Sequence, residues 1–461
     1  MVMKLDNNTG SPLYIIKICL VAALGGLLFG FDTAVIAGTI PFLTLHFQLN
    51  DIMLGWAVSS VLIGCMVGAA TAGYFSDKFG RKKVLIVCAV LFAISAIWSG
   101  LAITLYDFIL ARWLGGLGVG AASMLSPMYI SEISPAKIRG RLVSLNQLTI
   151  VIGILAAYGV DYALVDIGDT NWRWMFGSET FPAVAFLLFL FTVPESPRWL
   201  VKQQKEDQAL YILSKVGGAE HAKNEMLEIK GALTQEENTI AMLFQPGMRV
   251  ALTIGIVLAI LQQVTGINII LYYAPKIFES MGFERNASLL NTVAVGAANL
   301  VATFIAITFV DKLGRKLLLL IGSAGMGLCL LMVGISIQYD IFKDFVIGST
   351  VIPKGYLVIA FIVGYIAFFA SSLGPIVWVV MSEIFPTKIR GRAMSISTVA
   401  LWIACFAVSM AFPVMLERLP AITTFGIFAL MCAIMFVFTL IVLPETKGKT
   451  LEEIEKCWVK D

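Results

Sequence analysis

Charge is what this sequence has least of. Asp, Glu, Lys and Arg make up 14% of its 461 residues, against about 25% in an ordinary soluble domain. So few charges cannot cover a water-facing surface when 59% of the residues are hydrophobic and mean hydropathy is +0.88. That excludes a soluble globular protein and points to the lipid bilayer as solvent. The net charge of +3 gives no basic footprint for nucleic acid. Histidine occurs only at His46 and His221, far apart and outside any H-E-x-x-H. The seven cysteines are odd in number and lack a C-x-x-C pair. Six lie in apolar stretches, with Cys457 in the tail. Neither a disulfide framework nor a metal site is expected from them. The clustered glycines Gly115, Gly116, Gly118 and Gly120 sit inside an apolar run. There they allow close helix packing; they do not form a phosphate cradle. No nucleophile–base pair is visible, so an enzyme is not expected.

What the chain has is apolar length. After a polar start from Met1 to Pro12, an apolar run reaches past Gly38. It is too long for a signal-peptide core and has no clean cleavage site, so it reads as a first spanning helix. Further runs centre near residues 62, 92, 118, 152 and 185, then near 260, 300, 327, 368, 404 and 432. At about 20 residues per crossing, that is twelve spans. A polar gap from Glu195 to Arg249, with KQQKEDQ and EHAKNEMLEIK, suits short amphipathic helices in water. The expected organisation is a six-span half over 1–194, a linker over 195–249, a second six-span half over 250–443 and a tail over 444–461. With both ends and the linker on one side, that side holds 26 of the 33 Lys and Arg residues. The opposite loops hold Arg173, Lys276, Arg285, Lys343, Lys354 and Arg418, and Arg112 lies within a span. The positive-inside rule therefore places both termini and the linker in the cytoplasm.

The two halves repeat. Asp77-Lys-Phe-Gly-Arg81-Lys recurs at Asp311-Lys-Leu-Gly-Arg315-Lys. The eleven residues from Ser131 to Arg141 recur nearly unchanged from Ser382 to Arg392. Pro194-Glu-Ser is answered by Pro444-Glu-Thr. Each copy follows the same span of its half, the second, fourth and sixth, which is the mark of a two-lobed transporter.

The pattern resembles the sugar porters of the major facilitator superfamily over nearly the whole chain. The matching stretches are GGLLFGFDTAV, DKFGRKK, RWLGGLGVGAASMLSPMYISEISPAKIRGRL, PESPRWL, QQVTGINIILYYAP, DKLGRK, SEIFPTKIRGR and PETKGKTLEEI. PESPRWL, QQ-x-x-GIN-x-x-x-YY and PETKG together are specific to sugar porters. The resemblance implies an all-α membrane protein: twelve transmembrane helices in two six-helix lobes, the major facilitator fold, with a cytoplasmic helical linker. It also implies a multi-pass protein of the cell membrane that needs no cofactor or metal, with one chain enough to form the pathway.

The repeated loops set acids beside bases at fixed spacing. Glu132 and Arg139, two helical turns apart, are better placed to bond a third group such as Arg81 than each other. The second half offers Glu383, Arg390 and Arg315, with Asp77 and Asp311 beside them. Glu195 and Glu445 are expected to bridge to the linker helices. Such a network would latch the cytoplasmic side, and breaking it would shift the balance of states. In the resembled family these positions form cytoplasmic locks.

Ionisable groups deep in spans are few: Asp32, Arg112 and Glu179. Charges there are expensive, so they should face the interior and pair. An Asp whose distance to Arg112 changes between states would exchange its proton as it does so. In the resembled family an Asp here accompanies proton symport, and Glu179 is read as a support of that site or a bond to the start of the sixth span.

Sugar hydroxyls need directional donors and acceptors, which amides supply. Gln262 and Asn268 would point about 120° apart on an unbroken helix, so a break is expected at Thr265-Gly266. Asn268 and Tyr272 share a face. The resemblance carries Phe29, Gln147, Gln262, Gln263, Asn268, Asn299, Gly374, Trp378 and Trp402 as sugar contacts, and Tyr272 and Tyr273 as an extracellular gate. Ile154 and Leu401 stand where relatives carry amides, so the sugar is left open between pentose and hexose. The expected function is a proton-coupled monosaccharide symporter, with monosaccharide, protons and the bilayer as partners. A passive uniporter is the alternative. A membrane sugar sensor is remote, because only 17 residues follow Pro444.

Overall fold

The computed structural model describes residues 10–135, 138–234, 245, 248–339, 345–347, 350–352, 354–385 and 390–445. Nearly all of it is helix, because apolar runs in lipid must satisfy their own backbone groups. The first half comprises α1 (Pro12–Ala34), α2 (Ile36–Phe47), α3 (Asp51–Phe79), α4 (Arg81–Leu101), α5 (Leu105–Ile133), α6 (Arg139–Leu164), α7 (Asn171–Ser178) and α8 (Thr180–Leu190). The linker carries α9 (Pro197–Lys202), α10 (Glu206–Gly217) and α11 (Ala219–Thr234). The second half comprises α12 (Met248–Val264), α13 (Ile267–Ser280), α14 (Arg285–Leu313) and α15 (Arg315–Gln338). A two-stranded hairpin of β1 (Phe345–Ile347) and β2 (Thr350–Ile352) precedes α16 (Lys354–Ser371), α17 (Leu373–Ile384), α18 (Arg390–Arg418) and α19 (Ala421–Ile441). The hairpin is the one departure from an all-α reading among the described residues.

Among the described residues, eleven helical stretches are continuous and apolar enough to cross a bilayer. The twelfth crossing is α7 with α8, a helix interrupted at the buried Glu179. Capping is local and conventional. Ser11, Asn50 and Thr104 accept bonds from the amides of Tyr14, Met53 and Asp107, and Asp107 completes a capping box. Large apolar side chains such as Phe181, Leu188, Phe304 and Ile441 remain exposed along the outer faces, as lipid-facing surface requires.

Packing follows the repeat. In the first half, α1 lies along α6, α3 along α5, and α4 against α5 and α8. In the second, α12 lies along α18, α14 along α16, and α15 against α16 and α19. The halves meet through α3 with α18 and through α14 with α6, again an equivalent pair. The two lobes are thus six helices each. The linker helices bury their own small cluster of Trp199, Leu200, Leu213 and Met226, and Trp199 Nε1 donates to the Asp77 carbonyl at 2.9 Å.

Candidate functional site

Two polar centres lie within the apolar bundle. The first is ionic. Asp32 stands at the end of α1 and Arg112 in α5, each about 1% exposed at the side chain. Arg112 Nη1 donates to Asp32 Oδ1 at 2.5 Å, and Nη2 donates to the Asp32 carbonyl at 2.9 Å. The guanidinium lies 5.3 Å over the Phe176 ring. Glu179, at the break between α7 and α8, is within electrostatic reach of both. Neither of its carboxylate oxygens has a hydrogen-bond partner among the described residues, nor does Asp32 Oδ2 or Arg112 Nε. The three expected groups are thus brought together, with capacity left over. A third buried carboxyl was not anticipated. Asp161 in α6 is 1% exposed, and its Oδ2 accepts from the Gly38 amide at 3.1 Å. The count of deep charges therefore rises by one; Asp161 lies near the end of α6.

The second centre is neutral and built around a broken helix. α12 ends at Val264 and α13 begins at Ile267, with Gly266 at φ +99° between them, a conformation that favours glycine. The break sits where Thr265-Gly266 predicts it. It lets amides from both half-helices join in one chain. Gln262 Nε2 donates to the carbonyls of Leu373 at 2.7 Å and Gly374 at 3.3 Å, where α16 gives way to α17. Gln263 Nε2 donates to Gln262 Oε1 at 3.3 Å. Asn268 Nδ2 donates to Gln263 Oε1 at 2.5 Å and to Cys405 Sγ at 2.9 Å. Phe29 and Trp402 meet edge to face at 5.6 Å across the two lobes. Among the described residues, Gln147, Asn299 and Trp378 make no side-chain hydrogen bond to this chain; Asn299 is buried in α14, and the other two are half-buried. Ile154 and Leu401 are both buried. Cys405 was missed, because a cysteine in an apolar run carries no polar signal.

The two expected gate residues, Tyr272 and Tyr273, are both buried in α13. Tyr273 donates to the Ser409 carbonyl at 3.1 Å, and Tyr272 lies against Cys405, both within the second half. Tyr158 of α6 bridges the lobes: its hydroxyl donates to the Leu271 carbonyl in α13 at 2.7 Å. A tyrosine in an apolar run is the signal that could have found it, since a buried phenol seeks a partner. At the same end, Arg285 lies 4.9 Å over the Phe42 ring and Asn286 Nδ2 donates to Asp166 at 3.4 Å.

At the linker end the repeated loops do assemble, with corrections. Arg81 grips Glu132 through Nε at 3.0 Å and Nη2 at 2.9 Å, and holds Asp77 at 3.0 Å. Arg315 pairs with Glu383 at 3.1 Å in the second copy. Arg139 does not join Arg81; it turns to Glu225 of α11 at 3.3 Å. Glu195 and Glu445 bond backbone amides of the first and second lobes. Glu195 accepts from the Lys82 amide at 3.1 Å, and Glu445 accepts from the amides of Arg315 and Lys316 at 3.0 and 3.1 Å. Each caps the start of α4 or α15, where unpaired amides and the helix dipole attract a carboxylate. The preceding Gly80 and Gly314 have φ +99° and +87°, and a Cβ there would collide with the capping carboxylate of Glu195 or Glu445. That is why the loop motif contains glycine before its arginine. The side chains of Asp311 and Arg390 lie outside the described residues.

The family model described as "Sugar (and other) transporter" matches residues 18–458. The arabinose-proton symporter of Bacillus subtilis is 44% identical over 97% of this chain and 96% of its own length. The D-xylose-proton symporter of Escherichia coli is 42% identical over 98% of this chain and 97% of its own length. A solved structure of the E. coli xylose transporter XylE, described as partially occluded and inward open, matches with a TM-score of 0.84 at 40% identity, covering 95% of this chain and all of that one.

Proposed function

We infer the activity from kinship and chemistry together: this chain belongs to the sugar (and other) transporter family, and we propose that it imports a monosaccharide with a proton by alternating access. The observation that carries the coupling is the buried Asp32–Arg112 pair with Glu179 beside it. Two carboxyls share one buried cation there, so one carboxyl has no fixed countercharge. Proton binding neutralises it without leaving a charge exposed to lipid. When Arg112 moves away from Asp32, Asp32 takes a proton; when it returns, the proton leaves. Relatives are named as proton symporters of arabinose, xylose and galactose, which supports the same reading.

Sugar binds beside the amide chain, against Gln147, Gln262, Gln263, Asn268 and Asn299, with Phe29, Trp378 and Trp402 on its C–H faces and Gly374 giving close approach. With Ile154 and Leu401 apolar, a pentose or a hexose can be accommodated. Tyr272 and Tyr273, with Tyr158 bridging the lobes, close the site on one side. The salt-bridged loops latch the other side, which we assign to the cytoplasm with both termini on the weight of its positive charge. The lobes are residues 1–194 and 250–443, joined by 195–249, with the tail at 444–461. One chain suffices for the pathway.

The test is uptake of labelled monosaccharides into proteoliposomes under an inward proton gradient, for wild type and Asp32→Asn. Accumulation above equilibrium by wild type, with only exchange left in Asp32→Asn, is the expected result. Equilibration without accumulation, unaltered by the substitution, would make the protein a uniporter and the ion pair purely structural.

A further inference from the structure

The amide chain has a direction, and its end is unusual. Each amide donates to the one before it, from Asn268 to Gln263 to Gln262 to the carbonyls of Leu373 and Gly374. At the far end Asn268 has one further N–H, and it goes to the Cys405 thiol at 2.9 Å. Cys405 is 1% exposed and also lies against Tyr272 and Ser409. One turn earlier on the same helix, Trp402 is 2% exposed and its indole N–H has no partner among the described residues. The donor that α18 offers here is therefore unused.

An amide nitrogen carries two hydrogens. Both of those on Asn268 are spent, on Gln263 and on Cys405. We propose that Cys405 is a positioning residue of the sugar site: it fixes the Asn268 amide so that its carbonyl oxygen, an acceptor only, is presented to a sugar hydroxyl. The terminal torsion of an asparagine is soft and nearly two-fold. Without a partner on α18 the amide is held by the Gln263 bond alone, so it can pivot about that bond and carry its carbonyl oxygen off the line to the sugar hydroxyl. Because Cys405 also touches Tyr272, one turn along α13 from Asn268, the same thiol ties that turn of α13 to α18. The inference rests on the sugar-transport reading above and adds to it which polar sense the site offers at Asn268.

The test is the concentration dependence of monosaccharide uptake in proteoliposomes for wild type, Cys405→Val, Cys405→Ser, Asn268→Ala and the Cys405→Val/Asn268→Ala double variant. Valine keeps the volume and removes the hydrogen-bond partner; serine restores one. Cys405→Val should raise KM about tenfold, as loss of one hydrogen bond would, with turnover within about twofold. Cys405→Ser should keep KM within about twofold of wild type. In the Asn268→Ala background Cys405→Val should add nothing. A wild-type KM in Cys405→Val, equal losses in Val and Ser, or an undiminished effect in the double variant would each overturn the inference while leaving sugar transport intact. If wild type moved no monosaccharide, the transport reading would fail first and this inference with it.

Discussion

The two polar centres within the bundle are built on opposite principles. The first half holds formal charges, Asp32, Arg112 and Glu179, in a buried cluster. The second half holds neutral amides, Gln262, Gln263 and Asn268, threaded through a broken helix. The loops outside repeat almost residue for residue, and so does the packing of helix on helix, yet the interiors do not. Repetition serves the scaffold, in which each lobe must be rigid and similarly latched. The interiors are free to diverge, and a proton and a sugar demand different chemistry: a titratable carboxyl for one, directional dipoles for the other.

The sharpest way to break that contrast is to neutralise one centre at a time. Arg112→Leu leaves Asp32 and Glu179 without their cation, at a cost of about 3–5 kcal/mol. Thermal unfolding in detergent should show a large fall in Tm, which adding Asp32→Asn partly restores. In the amide centre, Gln263→Ala interrupts the donor chain in its middle. It should raise KM for sugar by about tenfold to a hundredfold, the loss of one or two hydrogen bonds, while protons still bind to the protein as measured by pH-dependent fluorescence. Next is Tyr158→Phe, which removes the hydroxyl that bridges α6 to Leu271. About 1 kcal/mol of closing energy goes with it, so the population open on that side should rise roughly fivefold, read by spin-label distances between α6 and α13. The smallest effect belongs to the linker surface. Arg139→Ala removes an exposed pair with Glu225, worth about 0–1 kcal/mol, and uptake should change by less than about twofold. Glu195→Gln and Glu445→Gln fall between, at about 1 kcal/mol each as lost caps. Because the two caps are equivalent, their Tm shifts should match; a large difference would end the claim that the lobes are latched alike.

Legibility followed the range of the interactions. The break at Gly266, the face shared by Asn268 and Tyr272, and the acid–base pairing of Arg81 with Glu132 are near-neighbour or repeated features, and local residue chemistry points to them. Arg139 pairs with a linker helix 86 residues away, which no spacing argument reaches. The capping by Glu195 and Glu445 was hidden because it uses backbone amides, which every residue has. Tyr158 and Asp161 were passed over because neither belongs to a repeated motif, and their partners in α13 and α2 are supplied only by packing. Cys405 looked like one more buried hydrophobe.

Apolar run length, charge asymmetry between loops and the internal repeat are set by the sequence by itself, because the bilayer imposes a fixed thickness, the membrane sorts positive charge to one side, and a repeat is visible without any fold. Which of the scattered polar residues touch was decided by tertiary structure alone. In lipid a polar group must find its partner across helices, and which helices adjoin is a matter of packing surfaces and not of order along the chain. Asp32 with Arg112, Asn268 with Cys405 and Tyr158 with Leu271 are each separated by 80 residues or more, and each pair exists only because the helices carrying them were brought side by side.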